Sequence, residues 1–477
     1  MDRQQHSPGL GQVAAQSDDE IAGLERQIAA EVVVIAPTGW QALRAAFAVT
    51  VGAEAMEIVF AVGERTVPVD PPEPVLASVR RHRELSARLD RGPWWRLLLW
   101  SADDGAPEFG YDFGDEPFPD RHIFAPEVYR ADLAAYPRSW LPVWLAAYLG
   151  HADRQTRGPR TAAAAVRADR AALVSPVLMD NELPELPVLW ARWAVLSATF
   201  VAVGSDRGPR MLPSLAWFES SRRTGSTLYL LPGGRAVLSG GVWNPPELDA
   251  VYNEGAEMPD FYAGAPDWVA DPVLNPRATA GLLSFCYWWD DGRWYRGDSP
   301  GAQRSSSAVP GVWTADSVVD IMSSLIADRP DPRWRAAADA LISAAQVGVV
   351  SRNTVTDVFD DEERFDIDAA LYQLSIAGSS ARPRLLEMSE FDAIERVRAY
   401  VDDRGLDTTG YPLSRLTADR IEMGWMVYVP VPRGEIAIGR AIFYVADDGV
   451  LEHSSSSIAP SEYAAGFAQR YRQRRGR

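Results

Sequence analysis

One short pattern occurs three times along this chain and narrows the folds open to it. An aromatic-rich apolar run leads to Asp-Asp-Gly, a second run follows, and then come residues that open a helix. The first copy is Trp94-Trp95-Arg96-Leu97-Leu98-Leu99-Trp100, then Asp103-Asp104-Gly105, then Phe109-Gly110-Tyr111-Asp112-Phe113. The second is Phe285-Cys286-Tyr287-Trp288-Trp289, Asp290-Asp291-Gly292 and Trp294-Tyr295. The third is Ile442-Phe443-Tyr444-Val445, Asp447-Asp448-Gly449 and Val450-Leu451. Asp-Gly between β-prone runs marks a tight hairpin, because the turn needs residues that tolerate positive φ. Ala125-Pro126-Glu127, Thr314-Ala315-Asp316 and Pro460-Ser461-Glu462 then supply the Pro, Thr, Ser and early acids of helix starts.

The pattern predicts an α+β fold of three small modules, each with an antiparallel sheet and flanking helices, joined by a helical connector. Residues 1–17 read as unstructured and 18–155 as the first module, with helices over 18–31 and 73–89 and strands over 41–51 and 54–61. A polar, Arg-rich linker is expected over 151–160. The central module spans 161–328 and contains a further hairpin, residues 226–231 and 236–239 around Pro232-Gly233-Gly234. Its apolar run 188–203 fits a helix or a strand. Residues 329–382 read as the connector, with helices over 333–347 and 367–376 around an acidic loop at 357–366. A linker at 379–384 leads into the third module, 383–477.

The 477 residues carry a formal net charge of −18, with 65 acidic residues. Nucleic acids and anionic membranes are recognised by clustered cations, so neither is an expected partner; a basic protein is, since opposite fields steer association. All 47 basic residues are arginine. Chemistry that needs a lysine, such as a Schiff base, a P-loop or a kinase strand lysine, is therefore excluded. The lone cysteine, Cys286, cannot form an intramolecular disulfide and reads as a core thiol in an aromatic strand. Residues 1–19 lack the apolar stretch of a secretion signal. A cytoplasmic protein without cofactor or metal is the expectation.

Asp112-Phe113-Gly114 matches the kinase magnesium triplet, but the rest of the kinase signature is missing. Asp112, Asp115 and Glu116 form the densest carboxylate cluster beside aromatic residues. Such a cluster can face a partner, ligate a hard cation or supply an acid/base pair. His122 is the nearest histidine, positioned to pair with Asp120 or Glu116. His6, His82, His151 and His453 complete the set, and none stands in a zinc-binding spacing.

Glu108-Phe109-Gly110-Tyr111-Asp112-Phe113-Gly114-Asp115-Glu116-Pro117, Tyr129-Arg130-Ala131-Asp132-Leu133, Tyr136-Pro137-Arg138 and Leu141-Pro142-Val143-Trp144-Leu145 together resemble YezG-like bacterial immunity proteins. These neutralise polymorphic toxins and include proteins resembling the antitoxins of actinobacterial secreted NAD-hydrolysing toxins. Gly424-Trp425-Met426-Val427-Tyr428 with Phe443-Tyr444-Val445-Ala446-Asp447-Asp448-Gly449 resembles the YrhB-like immunity domain. The resemblance implies a non-enzymatic immunity or antitoxin-like protein that occludes a basic toxin domain. Trp95, Tyr111, Asp112, Asp115 and Glu116 are then the partner-facing candidates. A carboxylate-dependent hydrolase built on the acidic cluster is one alternative. A scaffold or chaperone for secreted proteins is another.

Overall fold

A computed structural model describes residues 10–88, 91–102, 105–326, 331–361, 363–380, 388–431, 439–447 and 449–474. Asp103, Asp104, Asp448 and residues 381–384 of the expected linker lie outside the described residues. The fold is α+β, with three antiparallel sheets flanked by helices. The chain divides into two compact units. One takes in the chain up to Gln346 together with Thr354–Ala377; the other takes in Val347–Asn353 and the chain from Gly378 onward. Each expected module contributes one sheet, and the larger unit holds two of the three.

In the larger unit, α1 (Leu10–Val34) precedes the meander β1 (Ala42–Val49), β2 (Glu54–Val62) and β3 (Arg65–Val69). Helix α2 (Glu73–Ser86) then crosses over, and the first Asp-Asp-Gly hairpin adds β4 (Arg96–Ala102) and β5 (Glu108–Asp112), giving the order β3-β2-β1-β4-β5. Side chains alternate across a strand. Leu43, Ala45, Phe47, Ile58, Phe60, Leu97 and Leu99 therefore share one face and enclose a core with Ile28 and Val32 of α1 and Val75 and Val79 of α2. Helix α1 begins at Leu10, inside the stretch that reads as unstructured from its polarity. Helices α3 (Pro126–Ala135) and α4 (Val143–Gly150) follow, Pro126 occupying the first helical position of α3.

The 151–160 segment is not a linker. Gln155 is 3 % exposed, and its side-chain amide donates to Leu283 O at 2.8 Å and accepts from Leu283 N at 3.0 Å, the pairing a strand would make. Arg157 donates to Asp260 at 2.7 Å. A polar residue is stable in a core when its hydrogen bonds are filled, so polarity alone misassigned this stretch.

Next come α5 (Pro159–Ala171), β6 (Val177–Leu178), α6 (Leu186–Ala202), β7 (Arg210–Leu212), β8 (Leu215–Glu219), β9 (Gly225–Leu231), β10 (Arg235–Gly241), α7 (Pro246–Asn253), β11 (Phe285–Asp290) and β12 (Arg293–Arg296). The seven strands form one sheet, β6-β12-β11-β10-β9-β8-β7. The Pro-Gly-Gly hairpin and the second Asp-Asp-Gly hairpin meet edge to edge where Ala236 faces Trp289 and Ser239 faces Cys286. Asp291 and Gly292 have φ of 48° and 75°, and Asp290 faces Arg293, so the turn has the two-residue form its sequence predicts.

The ambiguous run 188–203 is α6. Leu189, Trp193, Ala194, Val195, Leu196 and Ala198 are buried around its whole circumference. That explains the missing amphipathic signature, since a helix apolar on all sides belongs inside. Helices α8 (Ala315–Ile326), α9 (Pro332–Gln346) and α11 (Ile367–Ile376) lie against it, with the short α10 (Arg352–Thr356) between α9 and α11 in sequence. Trp190 Nε1 donates to Ala377 O at 2.9 Å, Asp366 N to Ala202 O at 2.9 Å and Met211 N to Gln373 Oε1 at 2.7 Å. Most of the expected helical connector thus belongs to the larger unit, because its apolar faces are completed by a helix more than a hundred residues earlier, while Val347–Asn353 and the residues from Gly378 belong to the smaller one.

The smaller unit contains α12 (Glu390–Asp403), β13 (Thr417–Ile421), β14 (Gly424–Tyr428), β15 (Ala441–Ala446), β16 (Leu451–Ser455) and α13 (Pro460–Arg474). The strands form a meander in sequence order. Phe443 and Val445 of β15 meet Ala393, Val397 and Val401 of α12. Ile442, Tyr444 and Ala446 point the other way, to Phe467 and Tyr471 of α13. A strand covered on both faces must be apolar at every position, which accounts for the unbroken run Ala441-Ile442-Phe443-Tyr444-Val445-Ala446. Ser389 caps α12 by accepting from Asp392 N at 3.0 Å.

Candidate functional site

The sequence-predicted cluster lies where β5 runs out into the loop before α3, and each of its acids faces an arginine. Asp112 Oδ2 accepts from Arg96 Nε at 2.8 Å and Nη2 at 2.6 Å, while Oδ1 accepts from Gly114 N at 2.8 Å and shapes the turn. Asp115 takes a fork from Arg91 at 2.5 and 3.1 Å. Glu116 has Arg223 at 3.8 Å. Asp112 is therefore a structural ion pair rather than a partner-facing acid. Asp115 and Glu116 remain exposed at the tip.

A further candidate is corrected by burial. Trp95 is 1 % exposed; its ring meets Tyr129 edge-on at 5.2 Å and carries the Arg138 guanidinium at 4.2 Å, so it offers a partner no surface. Tyr111 stays partly exposed but gives its hydroxyl to Glu25 at 2.5 Å. His122 pairs with neither Asp120 nor Glu116. Its Nδ1 lies 3.3 Å from Arg96 Nη1 and must accept, since a guanidinium only donates. Burial and then the Arg96 charge hold it below the usual histidine range.

The acidic loop is a ridge between two clefts. On one side a cleft of about 360 Å³ is lined by Arg91, Phe113, Pro137, Arg138, Trp140 and Leu141. On the other a cleft of about 160 Å³ is lined by Trp144, Glu219, Arg223, Trp243, Asn244 and Arg277. Asp115 reaches Arg91 of the first, and Glu116 reaches Arg223 of the second. The base of the ridge is tied down by Trp144 Nε1, which donates to Gly114 O at 2.7 Å. Gly114 has φ of 81°, where a side chain is strained, and an added Cβ would lie 3.2 Å from the Phe118 ring.

The arginines of the two clefts are held differently. Arg277 donates to Glu219 at 2.5 Å across Gly225 and Gly241, where a Cβ would come within 3.0 Å of it. Arg138 donates to the carbonyls of Arg91, at 3.1 Å, and Pro93, stacks on Trp95 and, among the described residues, has no carboxylate within ion-pair distance. Burial pulls its guanidinium down to about 10, against the pull of Asp132, which still leaves it cationic at neutral pH. Trp140, 45 % exposed, closes the rim and donates its indole N–H to Asp249 at 2.8 Å. Arg91, Arg138, Trp140 and Arg223 escaped sequence reasoning, since arginine and tryptophan are common in this chain and no spacing singles these out.

No family model matches this chain, and no curated protein matches it. The YezG-like and YrhB-like resemblances rest on the quoted residues alone. Among the described residues, no group of three or more His, Cys, Asp or Glu side chains is placed to hold a metal ion, and no helix is long and apolar enough to cross a membrane.

Two further perturbed groups are interior. Cys286 is fully buried, as its aromatic strand implied, and burial pushes its thiol well up. His82 is fully buried and accepts from Trp94 Nε1 at 3.0 Å, so its proton sits on Nε2, with Glu25 at 3.9 Å. Burial pushes it down to about 4. A histidine in an unfolded chain titrates near 6.5. Below that pH the unfolded chain takes up a proton that the folded one refuses until about pH 4. Stability should therefore fall as pH drops from about 6.5 to 4, by on the order of 3 kcal/mol from this residue. Urea unfolding across that range should show a shallower decline in His82→Gln than in the parent; equal slopes would assign the acid sensitivity elsewhere.

Proposed function

We propose that this is a cytoplasmic, non-enzymatic protein that binds and occludes a protein partner in the manner of an immunity protein or antitoxin, the ridge at Asp115 and Glu116 entering a basic cleft of a toxin domain. The observation that carries this reading is the ridge itself. It is an exposed acidic tip held rigidly by Asp112–Arg96 and Trp144–Gly114, and it is flanked by Trp140, Arg91 and Arg223. Tryptophan and arginine dominate the energetics of protein interfaces, and rim charges mainly raise the association rate. The charge of −18 adds long-range attraction for a basic partner. Trp140 takes over the anchoring role that the sequence suggested for Trp95.

The test is co-expression with the product of an adjacent toxin-domain gene. A stoichiometric complex and rescued growth are expected, with association at least tenfold slower when Asp115 and Glu116 are both changed to Arg. Absence of both complex and rescue would overturn the reading.

A further inference from the structure

We propose that the cleft between Arg138 and Trp140 is a ligand site for a carboxylate carried on an aromatic or aliphatic body. Its volume of about 360 Å³ is that of a small-molecule site. Beside its polar groups, which include Ser139, the cleft offers the rings of Phe113 and Trp140 and the side chain of Leu141 to an apolar body. Its cations are Arg91 and Arg138. Arg91 is stacked at 4.4 Å on Phe113 and forked onto Asp115, an exposed pair that a bound anion can share. Arg138 spends two donations on the Arg91 and Pro93 carbonyls, which fix its position, and among the described residues no carboxylate pairs with it.

A guanidinium drawn out of water without a counter-ion is costly, and an incoming carboxylate lowers that cost. Two acids of the surrounding elements are already engaged. Asp132, fully buried, is paired with Arg83 at 2.7 Å; Asp249 accepts from Trp140 and from Asn253. One unpaired guanidinium beside two aromatic rings, Phe113 and Trp140, suits a monoanion carrying an aromatic or aliphatic body better than a phosphate. The site shares Arg91 and Trp140 with the proposed partner-binding ridge, but ligand titration and complex formation are read independently, so either can fail without the other.

The experiment titrates the full chain by calorimetry with two matched pairs. One is 3-phenylpropionate against 3-phenylpropionamide. The other is a tetrapeptide ending in Phe with a free carboxylate against the same peptide amidated. Saturable binding at least tenfold tighter for the acid is expected in one pair or both. The first pair points to a free organic acid, the second to a peptide terminus. Trp140→Ala, at an exposed rim position, should weaken that binding at least tenfold with an unchanged melting temperature, and Arg138→Gln should erase the preference for the acid. Equal affinity for acid and amide in both pairs, no binding in either, or parent-like affinity in Trp140→Ala would overturn the assignment.

Discussion

Replacing Asp132 with Ala is expected to destabilise the larger unit by about 3–5 kcal/mol, as expected when one member of a buried ion pair is removed. Asp132 of α3 is 0 % exposed and Arg83 of α2 is 4 % exposed. Both oxygens of Asp132 accept from Arg83 Nη2, at 2.7 and 2.9 Å, and Oδ1 also accepts from Val51 N at 2.9 Å. Arg83 Nε reaches Trp94 O at 3.2 Å. One carboxylate thus ties α2, α3, the β1–β2 turn and the start of β4. The alanine variant leaves a guanidinium in the core with one carbonyl for company and an amide without an acceptor. The double variant Arg83→Met with Asp132→Leu should regain most of the loss, because an apolar pair of similar volume carries no desolvation cost. Urea unfolding monitored by tryptophan fluorescence checks both. A loss under about 1 kcal/mol in the single variant would mean that water reaches this pair.

Trp193→Ala is the second large effect, at about 3–5 kcal/mol. Trp193 is fully enclosed in α6, the helix on which α8, α9 and α11 rest. Deleting an indole there removes its burial and leaves a cavity that several helices would have to collapse to fill. The control is Trp217→Ala on β8, 39 % exposed, for which less than about 1 kcal/mol is expected. Calorimetric melting of the two variants separates them; similar losses would mean that α6 is not the centre of that helical layer.

The same contrast shows what was legible before the fold was known. The strands flanking all three Asp-Asp-Gly sequences and Pro-Gly-Gly pair as hairpins, and the second Asp-Asp-Gly turn is tight, because such a turn is decided by the φ tolerance of two consecutive residues; the first hairpin instead joins Trp100 to Glu108 through a longer loop. Helices α3, α8 and α13 begin within a residue of their Pro, Thr or Ser signals for the same local reason. Residue order within a few positions is enough for such features, and with them comes the α+β class.

The tertiary structure decided everything that depends on residues far apart in sequence. It joined two hairpins into a seven-stranded sheet, made α6 a buried helix and turned an apparent connector into the layer around it. It also reversed the reading of the site. Asp112, Asp115 and Glu116 look like a bare acidic patch along the chain, yet folding sets each of them against an arginine from another element. Trp95 went inside and Trp140 stayed at the surface, although each has a proline two residues away. Burial and charge pairing are properties of a neighbourhood in space, and a linear pattern specifies only the neighbours along the chain.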